Sequence, residues 1–325
     1  MKKNSLRKVL TGTALTLTAL MIALVPVSAM AEWNPKRPIN LIVPYKAGGG
    51  TDSFGRAISA AAKGIVKVPI VVVNKPGSSG MTGCTAAFNA RPDGSTFLMT
   101  SSGSFTLTSM LRDTEITPLE SFKVVAQVGN LTTSLMVAHD SPFKTVKDLV
   151  EAAKANPGKL RWAHTGRGGF HHVAGQGFLN ENGVKAVDVP YKGGSATRAA
   201  VMGGQVDFGM VGVQQGAGFE GKLRILALNA PVRDKVMKDV PTFKEQGLSF
   251  VDVSSPIIVF AQKDVDDEVV KGLEKALEQI AASPKFAELM LKRGNAPAYQ
   301  NGKTAEAKLH ALKNDAQPII DSLKK

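Results

Sequence analysis

Cysteine is nearly absent from these 325 residues: Cys84 stands alone, and aromatic residues are sparse, with two tryptophans and three tyrosines. A single thiol excludes an internal disulfide and any paired C-x-x-C metal or redox motif. With no base or cation near it in sequence, Cys84 reads as a small buried residue rather than a nucleophile. Neither a G-x-S-x-G nucleophile elbow nor H-E-x-x-H occurs, so two common hydrolase chemistries have no carrier. No stretch reaches the 18 or so continuous apolar residues a membrane-crossing helix needs. Acidic residues are also short, 27 against 40 Lys and Arg, for a net charge of +13. That excess is dispersed and lacks interleaved aromatics, which argues against nucleic acid and leaves an anionic surface or ligand.

The first residues are basic (Lys2, Lys3, Arg7, Lys8), then apolar from Ala14 to Val25, then Ala29-Met30-Ala31. This order predicts a secretory signal over 1–31, cleaved after Ala31. The mature protein is therefore expected outside the cytoplasm. No cysteine follows the apolar run to carry a lipid. Removing the leader and its four basic residues lowers the charge to +9 and leaves 294 residues, enough for two domains.

From Pro38 onward, short β-rich runs alternate with Gly-rich turns and amphipathic helical stretches, which predicts α/β architecture with mainly parallel sheets flanked by helices. Strands are expected at 39–43, 70–73, 96–100, 135–138, 160–164, 186–189, 206–211 and 223–228. Thr51 or Asp52 is expected to cap the first helix. Thr145 with Asp148 and Thr242 with Glu245 read as capping boxes. Loops 44–52, 100–104, 165–170 and 190–195 are each rich in Gly, Ser or Thr and lead from a strand toward a helix. Such loops lie at the carboxyl ends of strands, where open α/β sheets bind ligands. There, backbone N–H groups and helix dipoles attract anions without requiring an arginine.

Six ordered segments resemble the receptors of tripartite tricarboxylate transporters, also called Bug-type receptors: Ile42-Val43-Pro44-Tyr45 with Gly48, Gly49 and Asp52; Val72 to Gly77; Pro92-Asp93-Gly94; Ala155 to Gly158; Val189 to Gly193; and Asp239 to Thr242 with Glu245 and Gly247. The resemblance implies a two-lobed periplasmic binding protein of type II, with lobe one at 32–133 plus 254–325 and lobe two at 134–253. It implies a receptor that is not an enzyme, that needs no cofactor or metal, and that hands a small organic carboxylate to integral membrane permease subunits. A di- or tricarboxylate is favoured, an aromatic acid stays open, and a monomer is expected. A sensor presenting its closed form to a signalling partner is the alternative. By position, the ligand loops supply Tyr45, Ala47, Gly48, Gly49 and Asp52; Ser101 and Ser102; Thr165, Gly166 and Gly169; and Tyr191, Lys192 and Gly193.

Lys46, Arg167 and Phe170 depart from the small or hydroxyl residues usual in that family. Arg167 offers a bidentate fork and Lys46 a point charge, which would favour a ligand with several carboxylates. Phe170 either floors an apolar subsite or packs its helix. Asp52 either caps its helix or meets the ligand. Adjacent His171 and His172 diverge on a helix and cannot share one metal as an i, i+4 pair does, but one of them can reach the cleft. The stretch Gly216 to Lys222 imitates both a phosphate loop and a G-x-G-x-x-G fingerprint; Leu223 replaces the required Ser/Thr, and a strand follows where a helix should open.

Overall fold

The computed structural model describes residues 33–324 except 113, 252 and 254; the leader expected at 1–31 lies outside them. Along the chain, β1 (Ile39–Val43), α1 (Gly50–Ala61), β2 (Ile70–Asn74), α2 (Met81–Phe88), β3 (Thr96–Ser101), α3 (Ser102–Leu111) and β4 (Phe122–Leu131) come first. Next come β5 (Thr133–Ala138), α4 (Val146–Ala155), β6 (Arg161–His164), α5 (Phe170–Glu181), β7 (Val187–Pro190), α6 (Gly194–Met202), β8 (Phe208–Gly212) and β9 (Leu223–Asn229). The chain then returns through β10 (Ser255–Gln262), α7 (Asp267–Ala282), α8 (Pro284–Leu291), β11 (Pro297–Asn301) and α9 (Gly302–Leu323).

These strands form two sheets, one ordered β11-β4-β10-β3-β1-β2 and the other β7-β6-β8-β5-β9. The apolar run Leu41-Ile42-Val43 of β1 follows from burial on both faces. Leu41 and Val43 join one core with Phe54, Phe97 and Leu277. Ile42 faces the opposite way, into a core with Leu98, Phe105 and Phe260. The second sheet is covered likewise, by Trp162, Phe178 and Phe208 on one side and Met136, Ala163 and Val211 on the other.

Both sheets are mixed. Parallel pairing is confined to β1 with β2 and β3, and to β6 with β7 and β8. The antiparallel partners β4, β10 and β11 are strands the sequence pattern does not announce. Gly129 and Asn130 are poor strand formers in β4, and Pro256 breaks β10, a central strand where proline is disfavoured. The structure accommodates that proline beside a register shift at Ile257/Ile258. The Ser102 hydroxyl donates to the Pro256 carbonyl (2.8 Å).

The Thr145/Asp148 capping box forms as expected. The Thr242/Glu245 pair also forms both bonds, but it opens only one 3₁₀ turn. The first helix corrects the expected cap: Gly49 is its N-cap, with no side-chain acceptor, and Asp52 lies three residues inside.

No described helix is long and apolar enough to cross a membrane. Burial pushes the Cys84 thiol pKa up, consistent with an inert core residue.

Gly129 of β4 lies directly beneath the Phe54 ring of α1, where any Cβ would overlap it. Gly129→Ala is expected to cost about 1–3 kcal/mol through overpacking, read as a lower urea midpoint; an unchanged midpoint would mean that α1 does not depend on this contact.

Candidate functional site

The carboxyl ends of β1, β3, β6 and β7 lead into the loops that face one another between the sheets. Ser195 Oγ donates to the Ala47 carbonyl (2.9 Å), and Gln215 Nε2 to the Gly48 carbonyl (3.5 Å). On the opposite flank, Ser79 Oγ donates to the Arg167 carbonyl (2.7 Å). Between these, the Phe170 N–H donates to Ser104 Oγ (3.2 Å).

Two cavities lie in this cleft. The inner one is a slit of about 20 Å³, room for roughly one water molecule. Of the residues expected from the sequence, Tyr45, Gly49, Ser101, Thr165, His171 and Gly193 line it. The outer cavity, about 320 Å³, shares Tyr45 and Thr165 with the slit and adds Gly166, Arg167, Tyr191 and Lys192. Ala47, Gly48, Asp52, Ser102, Gly169 and Phe170 line neither. Residues the sequence did not assign to the ligand also take part: Thr51, expected only as a helix cap, with Ser104, Leu131 and Gln214 inside, and Ser79 and Arg112 outside. Ser104 lay within a flagged loop, whereas nothing local to Gln214 or Arg112 signals a cleft position.

Helix starts distinguish this region from the rest of the protein. The first N–H groups of a helix have no intrahelical partner. Away from the cleft, α4, α7, α8 and α9 satisfy them with side-chain caps from Thr145, Asp266, Ser283 and Asn301. At the cleft, α1, α2, α5 and α6 begin after Gly49, Gly80, Gly169 and Gly193, which have no side chain to cap them; among the described residues only the first N–H of α5 meets a side chain, Ser104 Oγ across the cleft. Gly193 has φ 111° and is packed against Tyr45 Cβ and the Lys46 nitrogen at 3.4 Å, so only glycine suits it. Of the cleft helices, α3 alone has a hydroxyl cap: Ser101 accepts from the Ser104 N–H (3.3 Å). The starts of α1, α5 (through His171) and α6 thus line the inner slit and that of α2 the outer cavity.

Asp52 is fully buried and organises the first loop from below. It accepts from the Gly48 N–H (2.8 Å), Arg56 Nε (2.8 Å) and Asn74 Nδ2 (3.0 Å). Asn74 also donates to the Tyr45 carbonyl (3.0 Å), tying β2 to the same loop. The hydrogen bond to Asp52 outweighs desolvation and raises the Arg56 pKa. Tyr45 is buried with its hydroxyl near Thr100 Oγ1 (3.4 Å), and desolvation pushes its pKa up to about 12.

The basic and histidine residues separate into distinct roles. Arg167 is exposed, and its Nε and NH2 grip Asp188 at 2.7 and 3.1 Å. Lys46 is exposed and lines neither cavity. Phe170 is buried in the first core, which favours the packing role over an apolar subsite floor. His171 is buried; its Nδ1 meets Thr165 Oγ1 (2.9 Å), and its Nε2 has no partner among the described residues.

His172, His164 and Asp188 place ligand atoms within 4.8 Å of one another, a spacing a metal could use. The hydrogen bonds argue against that use. Both Nδ1 atoms accept backbone N–H groups, from Gly166 to His164 (3.2 Å) and from Gly168 to His172 (3.3 Å). The neutral rings therefore carry their protons on Nε2, the atoms a metal would need bare. Burial raises the Asp188 pKa, but hydrogen bonds from Arg167 and His164 outweigh it and hold the carboxyl below its usual range.

This architecture, two α/β lobes with a cleft between them, is that of periplasmic binding proteins. The profile of the family described as "Tripartite tricarboxylate transporter family receptor" matches residues 55–324, and the chain belongs to that family. A solved structure, periplasmic binding protein BugD, is 29% identical, with TM-score 0.81 over 89% of this chain and 97% of its own. Two Rhodopseudomonas palustris proteins share the fold. MatC with bound malate is 23% identical, with TM-score 0.80, over 88% of this chain and 99% of its own. A protein with adipate is 22% identical, with TM-score 0.82, over 88% of this chain and 97% of its own. Members of the family are periplasmic solute-binding proteins, and these fold neighbours are binding proteins rather than enzymes.

Burial sets a pH dependence for the site. Desolvation lowers the pKa of His171 from 6.5 to about 3 and that of His172 from 6.5 to about 4. Both stay neutral in the folded protein while the unfolded chain protonates near 6.5. Their contribution is therefore intact above pH 6.5 and is lost as pH falls toward 4, at up to about 2.7 kcal/mol per pH unit for two protons. Melting temperature followed from pH 7 to 4.5 should fall less steeply for His172→Asn than for the native chain; parallel curves would contradict the burial argument.

Proposed function

We propose that this chain is an exported solute receptor that closes two lobes on a small organic carboxylate and presents it to the membrane subunits of a tripartite transporter. The observation carrying this reading is the group of glycine-started, uncapped helices from both sheets that open on one cleft. Backbone donors and the positive ends of helix dipoles suit a carboxylate group, and no Asp or Glu lines either cavity to repel it. The family membership and the malate and adipate held by two fold neighbours support the same ligand class. His171 Nε2, whose Nδ1 takes the Thr165 hydroxyl proton, and the hydroxyls of Ser101 and Ser104 are the neutral groups we assign to orienting that carboxylate.

The slit, with room for about one water, is smaller than a carboxylate group requires. Ligand entry therefore requires the lobes to part and to re-close less tightly than in this structure. We place their boundaries at 133/134 and 253/254, beside the crossings from β4 to β5 and from β9 to β10. Export through a cleaved leader at 1–31 belongs to this proposal.

A thermal-shift screen of mono-, di- and tricarboxylates tests it. A true ligand at about 100 times its dissociation constant should add about 2.7 kcal/mol of stability, and mass spectrometry should recover it unchanged. A converted ligand would replace the receptor reading with an enzyme; no stabilisation by any organic acid would remove the carboxylate assignment.

A further inference from the structure

The outer cavity holds a charge asymmetry among its three cations, Arg112, Arg167 and Lys192. Arg167 has its Nε and NH2 edge committed to Asp188, which neutralises it. Arg112, at the end of α3, has no carboxylate partner among the described residues; it donates to the Ser78 carbonyl and to Ser79 Oγ, both at 3.3 Å. Those acceptors are neutral, and of the five guanidinium N–H groups three remain for a further partner.

The mount for this guanidinium is itself unusual. Ser78 and Ser79 have φ of 46° and 56°, a left-handed region that non-glycine residues rarely adopt. Such a conformation persists only where the surroundings over-determine it, and it gathers at ligand clamps. Here it aims the Ser78 carbonyl and the Ser79 hydroxyl at Arg112, while the same hydroxyl reaches the Arg167 carbonyl across the cleft. The segment thus holds a charged fork at the outer cavity, with its unused donors available.

We propose that Arg112 is the specificity-determining residue for a second anionic group on the ligand. This rests on the reading of the cleft as a carboxylate site. One carboxylate occupies the uncharged slit among the helix starts. The other lies in the outer cavity, joined to the slit through the wall shared by Tyr45 and Thr165, and takes a bidentate bond from Arg112. Arg167 is a positioning residue, braced by Asp188 and giving its carbonyl to Ser79.

Calorimetric titration of malate, adipate and their monomethyl esters tests this. The native protein should prefer a diacid over its ester by about tenfold or more, the worth of one charge-assisted hydrogen bond. Arg112→Gln should reduce that preference to below about threefold, chiefly by weakening the diacid. Arg112→Lys, which keeps a point charge, should retain part of it, and Arg167→Gln should keep the preference. Equal binding of diacid and ester by the native protein would overturn this assignment and leave the carboxylate reading standing. Binding of no diacid or ester, when a monocarboxylate stabilises the protein in the screen, would overturn this assignment alone; failure of every acid in that screen would overturn both. Loss of the preference in Arg167→Gln, with Arg112→Gln like the native chain, would transfer the role to Arg167.

Discussion

Every helix start leaves N–H groups that its own turns cannot satisfy, and this protein treats that constraint in two opposite ways. Away from the cleft, Thr145, Asp266, Ser283 and Asn301 close the helix starts with side-chain oxygens. At the cleft, glycines stand at the corresponding position for four helices, so donors remain directed between the sheets. An uncapped start forfeits roughly 0.5–2 kcal/mol relative to Ser, Thr, Asp or Asn when a side chain such as alanine replaces the cap, and only a few tenths when glycine does. Glycine therefore leaves the donors open at small cost in stability. It also allows close approach, as at Gly166, where a Cβ would lie 2.7 Å from Ser79 Oγ.

A loop of glycines would not hold its shape alone. The first loop is fixed by Asp52, whose buried carboxylate gathers Gly48, Arg56 and Asn74 from a loop, a helix and a strand. Negative charge is thereby enclosed beneath the site and balanced by Arg56, not presented to the ligand. The same separation holds at the outer rim, where Asp188 is turned onto Arg167 and His164. Burial keeps His171 and His172 neutral, so the proposed attraction of the inner surface for an anion rests on dipoles and hydrogen bonds. Such attraction does not vary with imidazole protonation across the ordinary pH range.

The parts of this arrangement that were legible in sequence are local. Strand, glycine loop and helix follow one another along the chain, so β1, β3, β6 and β7 with their loops could be placed from composition and turn chemistry. Strands β4, β10 and β11 escaped because their strand character comes from tertiary pairing: Pro256 and Gly129 oppose it locally, and neighbours on both sides impose it. The same distinction divides the site. Tyr45, Ser101 and Gly193 are named by their loops. Gln214 and Arg112 reach the cleft from a turn after β8 and the end of α3, positions that only the packed sheets define. Asp52 shows the converse, since its residue type suggested a cap and its depth in the helix made it a buried hub.

The two sheets meet through few polar contacts, and most of them end on backbone oxygen: Ser195 on Ala47, Gln215 on Gly48 and Ser79 on Arg167. Neutral hydrogen bonds of this kind contribute about 1 kcal/mol each in net terms, because water competes for the same groups. A closed form held by such bonds lies within reach of an open one. A ligand can then shift the balance by no more than its own difference in affinity for the two forms. In the proposed receptor the uncapped helix starts supply that difference, since they come from both sheets and act together on one carboxylate only when the sheets are close. On that proposal, the glycines that leave those donors free also tie ligand capture to closure.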